Sequence, residues 1–134
     1  MIKIKKELSL HLLRSLRHLN LTLSLVIKEG SDNKRYVNGD EYGLKSKTIN
    51  PDDWSFKTDE SSRICSAISS ELEWISTHEN DIEVVGYFVF DENSVLFYDI
   101  FKESVHLEKN RPFSLIPSLA MPYHDTDDDF LDSV

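Results

Sequence analysis

The sequence predicts an α+β fold: a mostly antiparallel sheet of about four to six strands with helices beside it. Three observations carry this expectation. Residues 82–101 are the most apolar and aromatic stretch, two β-rich runs around the polar turn Asp91-Glu92-Asn93-Ser94, which is a hairpin signal. Leu19, Leu21, Leu23, Leu25 and Ile27 alternate with polar Asn20, Thr22 and Ser24, the pattern of a strand with one wet face. Residues 58–78 place Ile64, Ile68, Leu72 and Ile75, with Cys65, at helical spacing.

Taken in order, residues 1–18 fit two periods. Leu8, Leu12, Leu16 and Leu19 are spaced as on a helix, while Ile2, Ile4, Leu8, Leu10 and Leu12 alternate as on a strand. Adjacent Leu12 and Leu13, with Leu16, break the two-residue period, so a helix is expected over about 5–18. The strand at 19–27 ends at the turn cluster Gly30-Ser31-Asp32-Asn33. Arg35 to Asn38 is a short strand closed by Asn38-Gly39, the favoured dipeptide of a tight hairpin, and residues 41–49 are placed to pair with it. Asn50-Pro51-Asp52-Asp53 reads as a turn or a single helical turn, with Trp54 and Phe56 anchoring it.

Residues 58–78 are the expected main helix. Thr58 can cap it, and Asp59 and Glu60 suit the positive end of its dipole. Ala67, Glu71, Trp74 and His78 then form a ridge beside the apolar face. In the 82–101 hairpin, alternation sets Val85, Tyr87 and Val89 on one face and Val84, Gly86, Phe88 and Phe90 on the other. Both faces are apolar, so these strands are expected to be central and covered on both sides. Pro112, Pro117 and Pro122 make residues 111–123 an extended strap whose Phe113, Leu115, Ile116, Leu119 and Met121 pack over the sheet. A single domain over 1–123 and a mobile acidic tail over 124–134 complete the expectation.

At 134 residues the chain is long enough for a real core. Its formal net charge is −9, unevenly spread: residues 1–35 hold eight Lys/Arg against three Asp/Glu, and residues 36–134 hold seven against twenty-one. This argues against nucleic-acid binding by phosphate neutralisation and for attraction to basic partners. The basic first third also argues against a mimic of DNA. One cysteine, Cys65, excludes an internal disulfide and a cysteine-based zinc site. No uninterrupted apolar run approaches the ~20 residues of a membrane span. Serine, histidine and glutamate interrupt 1–13, so it does not read as a signal peptide, and a cytoplasmic protein is expected.

Motifs for chemistry are absent. Asp125-x-Asp127-x-Asp129 imitates the start of a calcium loop, but Phe130 stands where that loop needs glycine. The histidines His11, His18, His78, His106 and His124 have no close metal-type pairing, so no metal or other cofactor is expected. No nucleophile elbow or phosphate-binding glycine loop is present. Between Asp52 and Glu92, eleven acidic residues face only Lys57 and Arg63. The expectation is therefore a non-enzymatic inhibitory binding protein, of the small acidic immunity or antitoxin type, that masks the active site of a basic toxin such as a nuclease. Asp52, Asp53, Asp59, Glu60, Glu71, Asp91 and Glu92 would steer the partner, with Trp54, Trp74 and His78 as contacts. Core burial is the plainer role of Trp54, whereas Trp74, on the ridge beside the apolar face, is expected at the interface. Two other classes remain: an enzyme or ligand-sensing domain with a pocket beside 82–101, using Tyr98, Asp99 and Glu71, and a homo-oligomeric adaptor, for which a homodimer is the simplest form.

Overall fold

The computed structural model describes residues 1–30, 35–125 and 128–134. In chain order the elements are α1 (Lys6–Arg14), β1 (Leu21–Glu29), β2 (Arg35–Asn38), β3 (Lys47–Ile49), β4 (Ser55–Asp59), β5 (Ile64–Ile68), β6 (Leu72–Ile75), β7 (Ile82–Phe90), β8 (Val95–Leu107), β9 (Pro112–Leu115), β10 (Ser118–Pro122) and α2 (Asp128–Asp132). The fold is α+β, and every strand pair is antiparallel. The chain forms two compact units. One comprises Met1–Leu19, Pro51–Ser70 and Ile116–Val134; the other comprises Asn20–Asn50 and Glu71–Leu115.

In the first unit, β5 is the centre of a three-stranded sheet, order β10-β5-β4. The expected N-terminal helix is present as α1, continued by a 3₁₀ turn over Ser15–His18. It buries Ser9, Leu13 and Leu16, whereas Leu8 and Leu12 are exposed. Of the expected row Leu8, Leu12 and Leu16, only Leu16 is buried; Ser9 and Leu13 take the other inward places, and Ser9, small and donating its hydroxyl to Pro122 O, lies against β10.

The helix expected over 58–78 does not exist; these residues form the end of β4, then β5 and β6. Residues four apart share a face in a strand as well as in a helix, so Ile64, Ile68 and Leu72 fit both. What decides is the intervening set: Cys65 and Ala67 are buried between α1 and the sheet plane, a two-residue alternation. Thr58, the expected cap, lies within β4, and Asp59, expected at the helix start, accepts from the N–H groups of Ser61 and Ser62 and so turns the chain from β4 to β5.

The second unit is built on a sheet of order β2-β1-β7-β8, with β3 also pairing β1, and a two-stranded β6-β9 sheet. The alternation read in 19–27 is borne out: Leu21, Leu23, Leu25 and Ile27 are buried with Val84, Tyr87 and Val89 of β7. Asn38 does not make a hairpin turn. Its side chain accepts from Asp40 N–H at the head of a 3₁₀ turn, Gly39–Tyr42, and β3 pairs β1 rather than β2. The 82–101 hairpin is present, closed by Asp91 accepting from the N–H groups of Asn93 and Ser94. Only β7 is central. β8 is an edge strand with an uncovered face, against the expectation of cover on both sides.

The strap at 111–123 is largely strand, because its prolines lie where a missing N–H is tolerated: at the ends of β9 and β10 and between them. Of the tail, residues 126–127 lie outside the described residues, as do 31–33 of the expected turn cluster; 128–132 form the short α2. Among the described residues, no helix is long and apolar enough to cross a membrane.

Candidate functional site

In the second unit, the sheet face opposite the core carries a groove of about 530 Å³. Val26 of β1, Tyr36 of β2, Val85 and Phe88 of β7, and Val95, Tyr98 and Ile100 of β8 line it. A bulge at Val85 sets these faces: it breaks the two-residue alternation, so that Val84 joins Tyr87 and Val89 on the core side and Val85 joins Phe88 on the groove side, against the expected grouping of Val85 with Tyr87 and Val89. Tyr98 is 69 % exposed and Ile100 73 % exposed, large values for apolar bodies in a strand. At one end, Ser104 Oγ donates to Glu83 Oε1 at 2.8 Å, and Lys28 Nζ lies 3.9 Å from the same oxygen. The groove is therefore a mostly apolar trough with the Lys28–Glu83 pair at one end and the exposed Asp99 at its β8 rim.

Two irregularities shape β8. Pairing with β7 is regular over Phe97–Ile100, opposite Val89–Gly86, and breaks on both sides. A Cβ on Gly86 would lie 2.2 Å from the Asp99 carbonyl oxygen, so only glycine lets β8 approach here. Asp99 itself is exposed on the edge strand, between Tyr98 and Ile100.

The ten residues expected to meet a partner divide equally between the two units. In the first, Asp52 and Asp53 are exposed on the 3₁₀ turn Pro51–Asp53. Trp54 is buried at 2 % exposure, and Arg17 donates to its carbonyl at 3.1 Å while lying over the Phe56 ring. Asp59 caps its own turn, and the hydrogen bonds from Ser61 and Ser62 hold its carboxyl below the usual range. Glu60 accepts from Lys6 Nζ and from Tyr123 Oη. Burial first, and the hydrogen bond to Glu60 second, push the Tyr123 phenol up to about 12.

In the second unit, Glu71 is exposed and Trp74 is buried at 3 % exposure, its Nε1 donating to Lys45 O at 2.7 Å. Trp74 is therefore not a surface anchor: it is a strand residue facing inward. His78 is half-buried, edge-on to Tyr42 at 5.1 Å, and accepts at Nδ1 from Asn80 N–H. Asp91 is held below the usual carboxylate range by the N–H groups of Asn93 and Ser94. Glu92 is exposed at the same turn. The ridge Ala67–Glu71–Trp74–His78 dissolves, since Ala67 belongs to one unit and the other three to the other.

Of the alternative pocket beside the hairpin, Tyr98 and Asp99 are present and Glu71 is not. The groove residues Val26, Tyr36, Val85 and Phe88 escaped the sequence reading, because a face covered in aromatics looks like core until its partner layer is located. Among the described residues, no group of three or more His, Cys, Asp or Glu side chains is placed to hold a metal ion. No protein-family model, curated protein or solved structure matches the chain.

Proposed function

We propose that the chain is a non-enzymatic inhibitory binding protein of the immunity or antitoxin type, which neutralises a basic toxin by masking its active site. A nuclease is a natural target, since an enzyme that binds a polyanion presents a cationic cleft. The observation that carries this reading is the exposed apolar strip of β8 in an acidic surround. Val95, Tyr98 and Ile100 lie open on the strand. Within 79–103, Glu79, Asp81, Glu83, Asp91, Glu92, Asp99 and Glu103 stand against Lys102; Glu79 is paired with Lys109 and Glu83 lies beside Lys28, which leaves an acidic excess in Asp81, Asp91, Glu92, Asp99 and Glu103. An apolar centre supplies affinity, and a charged rim speeds encounter and selects the sign of the partner. A large exposed apolar patch on such a sheet face marks an interaction site.

The test is genetic. Each product encoded beside this gene is expressed in a sensitive host with and without the chain, and survival is scored. Rescue with a stoichiometric complex supports the reading; toxicity that the chain never relieves contradicts it. A second reading, a ligand-sensing domain, draws on the groove volume, which falls within the size of small-molecule pockets. It is distinguished by saturable binding of a small apolar ligand that displaces no protein partner.

A further inference from the structure

We propose that β8 recognises its partner by strand addition: an extended segment of a basic protein, alternating apolar and cationic residues, pairs with the free edge of β8 at 97–100. This rests on the functional reading above and names how that surface would work. The first support is the state of the edges. Proteins blunt exposed sheet edges with lysine, proline, bulges or very short strands. Here β2, β3 and β6 are four, three and four residues long, β4 carries Lys57, β9 begins at Pro112, and β10 ends at Pro122. β8 carries one lysine, Lys102, but the Val95–Ile100 run that precedes it has neither lysine nor proline. Among the described residues it pairs only with β7, which leaves alternate backbone N–H and C=O groups directed outward.

The second support is the framing of that edge. The ladder breaks between Val89 and Phe90 on one side and between Val84 and Gly86 on the other. These bulges blunt β8 on either side and so confine what the edge can accept to the short, regular window between them, rather than an open-ended stack. The third support is chemistry. Along the window Tyr98 and Ile100 alternate with Asp99, and all three line the groove. An added strand therefore sets its apolar side chains beside Tyr98 and Ile100 and a Lys or Arg beside Asp99. A second copy is the poorer occupant: it would bring another Asp91, Glu92, Asp99 and Glu103 onto a strip already strongly acidic.

The experiment is selection of random peptides displayed on phage against the full chain, followed by affinity measurement. Enriched peptides are expected to alternate apolar residues with Lys or Arg. N-methylation at alternate positions should abolish binding. Ile100→Lys, at an exposed site and so with its melting temperature kept, should weaken binding roughly thirtyfold, the size of a hot-spot loss. Asp99→Asn should erase the preference for cations. Peptides without the alternation, binders indifferent to both N-methylation and Ile100→Lys, or a chain that is dimeric through β8 each overturn the proposal. The two levels fail separately. A chain carrying Ile100→Lys that still relieves a toxin contradicts strand addition and leaves the inhibitor reading standing. Peptide capture at the edge without relief of any toxin does the reverse.

Discussion

Trp74 is held from three sides: its indole N–H donates to Lys45 O, its ring lies 6.1 Å from Phe113, and Lys47 Nζ is 5.7 Å from the ring centre. Trp74→Ala should cost about 3–5 kcal/mol, the loss for a large core aromatic. Denaturant unfolding checks it; a loss below ~1 kcal/mol contradicts this placement. Tyr123 makes a second residue-scale prediction. Its phenol is buried and donates to Glu60, and its pKa is raised to about 12. A raised folded value means stability that is complete below the unfolded value of ~10 and lost as pH climbs toward the folded one. Alkaline unfolding between those limits should therefore be steeper in the parent than in Tyr123→Phe, and equal slopes contradict the assignment. The burial of Trp74 was not resolved by spacing, because a residue four positions from its neighbour shares a face in both helix and strand. The buried state of Cys65, and of Trp54 after its proline turn, was legible.

At the scale of elements, the hairpin β7–β8 was legible because its composition and turn agree, and β1 because its alternation is strict. The 58–78 stretch was not. Asp59 followed by Ser61 and Ser62 supplies the same side-chain-to-backbone bonds at a helix start and at a turn between strands. Which one forms depends on partners: β5 is flanked by β4 and by β10, and β10 lies some fifty residues further along the chain, beyond any local signal. Two predictions belong here. Gly86→Ala should cost about 1–3 kcal/mol, because its Cβ meets the backbone oxygen of Asp99 rather than a side chain that can move. A melting temperature unchanged by Gly86→Ala contradicts the close approach. In the hairpin turn, the Asp91 carboxyl lies below its ordinary value, so its contribution is present above that value and lost as pH falls through the lower, folded one. The amide shifts of Asn93 and Ser94 should then titrate with a midpoint below ~3.9, and the dependence should vanish in Asp91→Asn. A midpoint at or above ~3.9 contradicts the capped turn.

At the scale of the whole molecule, charge survives from sequence to structure better than position does. The acidic excess of residues 36–134 is a property of composition. Folding nevertheless occupies several of those acids: Glu60 with Lys6 and Tyr123, Glu79 with Lys109, Asp59 and Asp91 with their own turns. The sequence reading overcounted the carboxylates available to a partner, since pairing between distant segments is invisible in one dimension. It undercounted the apolar surface, since the outer face of β8 was taken for a covered one. The account therefore moves recognition from two tryptophans to the Val95–Ile100 edge and its acidic surround. The most direct measurement is the affinity, for a toxin that the chain relieves, of the parent and of a chain carrying both Tyr98→Lys and Ile100→Lys, each confirmed to melt alike. The account predicts a loss of ~2 kcal/mol or more, with an association rate that falls as salt shortens the Debye length from ~10 Å at 0.1 M to ~3 Å at 1 M. Equal affinities and a salt-independent rate would contradict it.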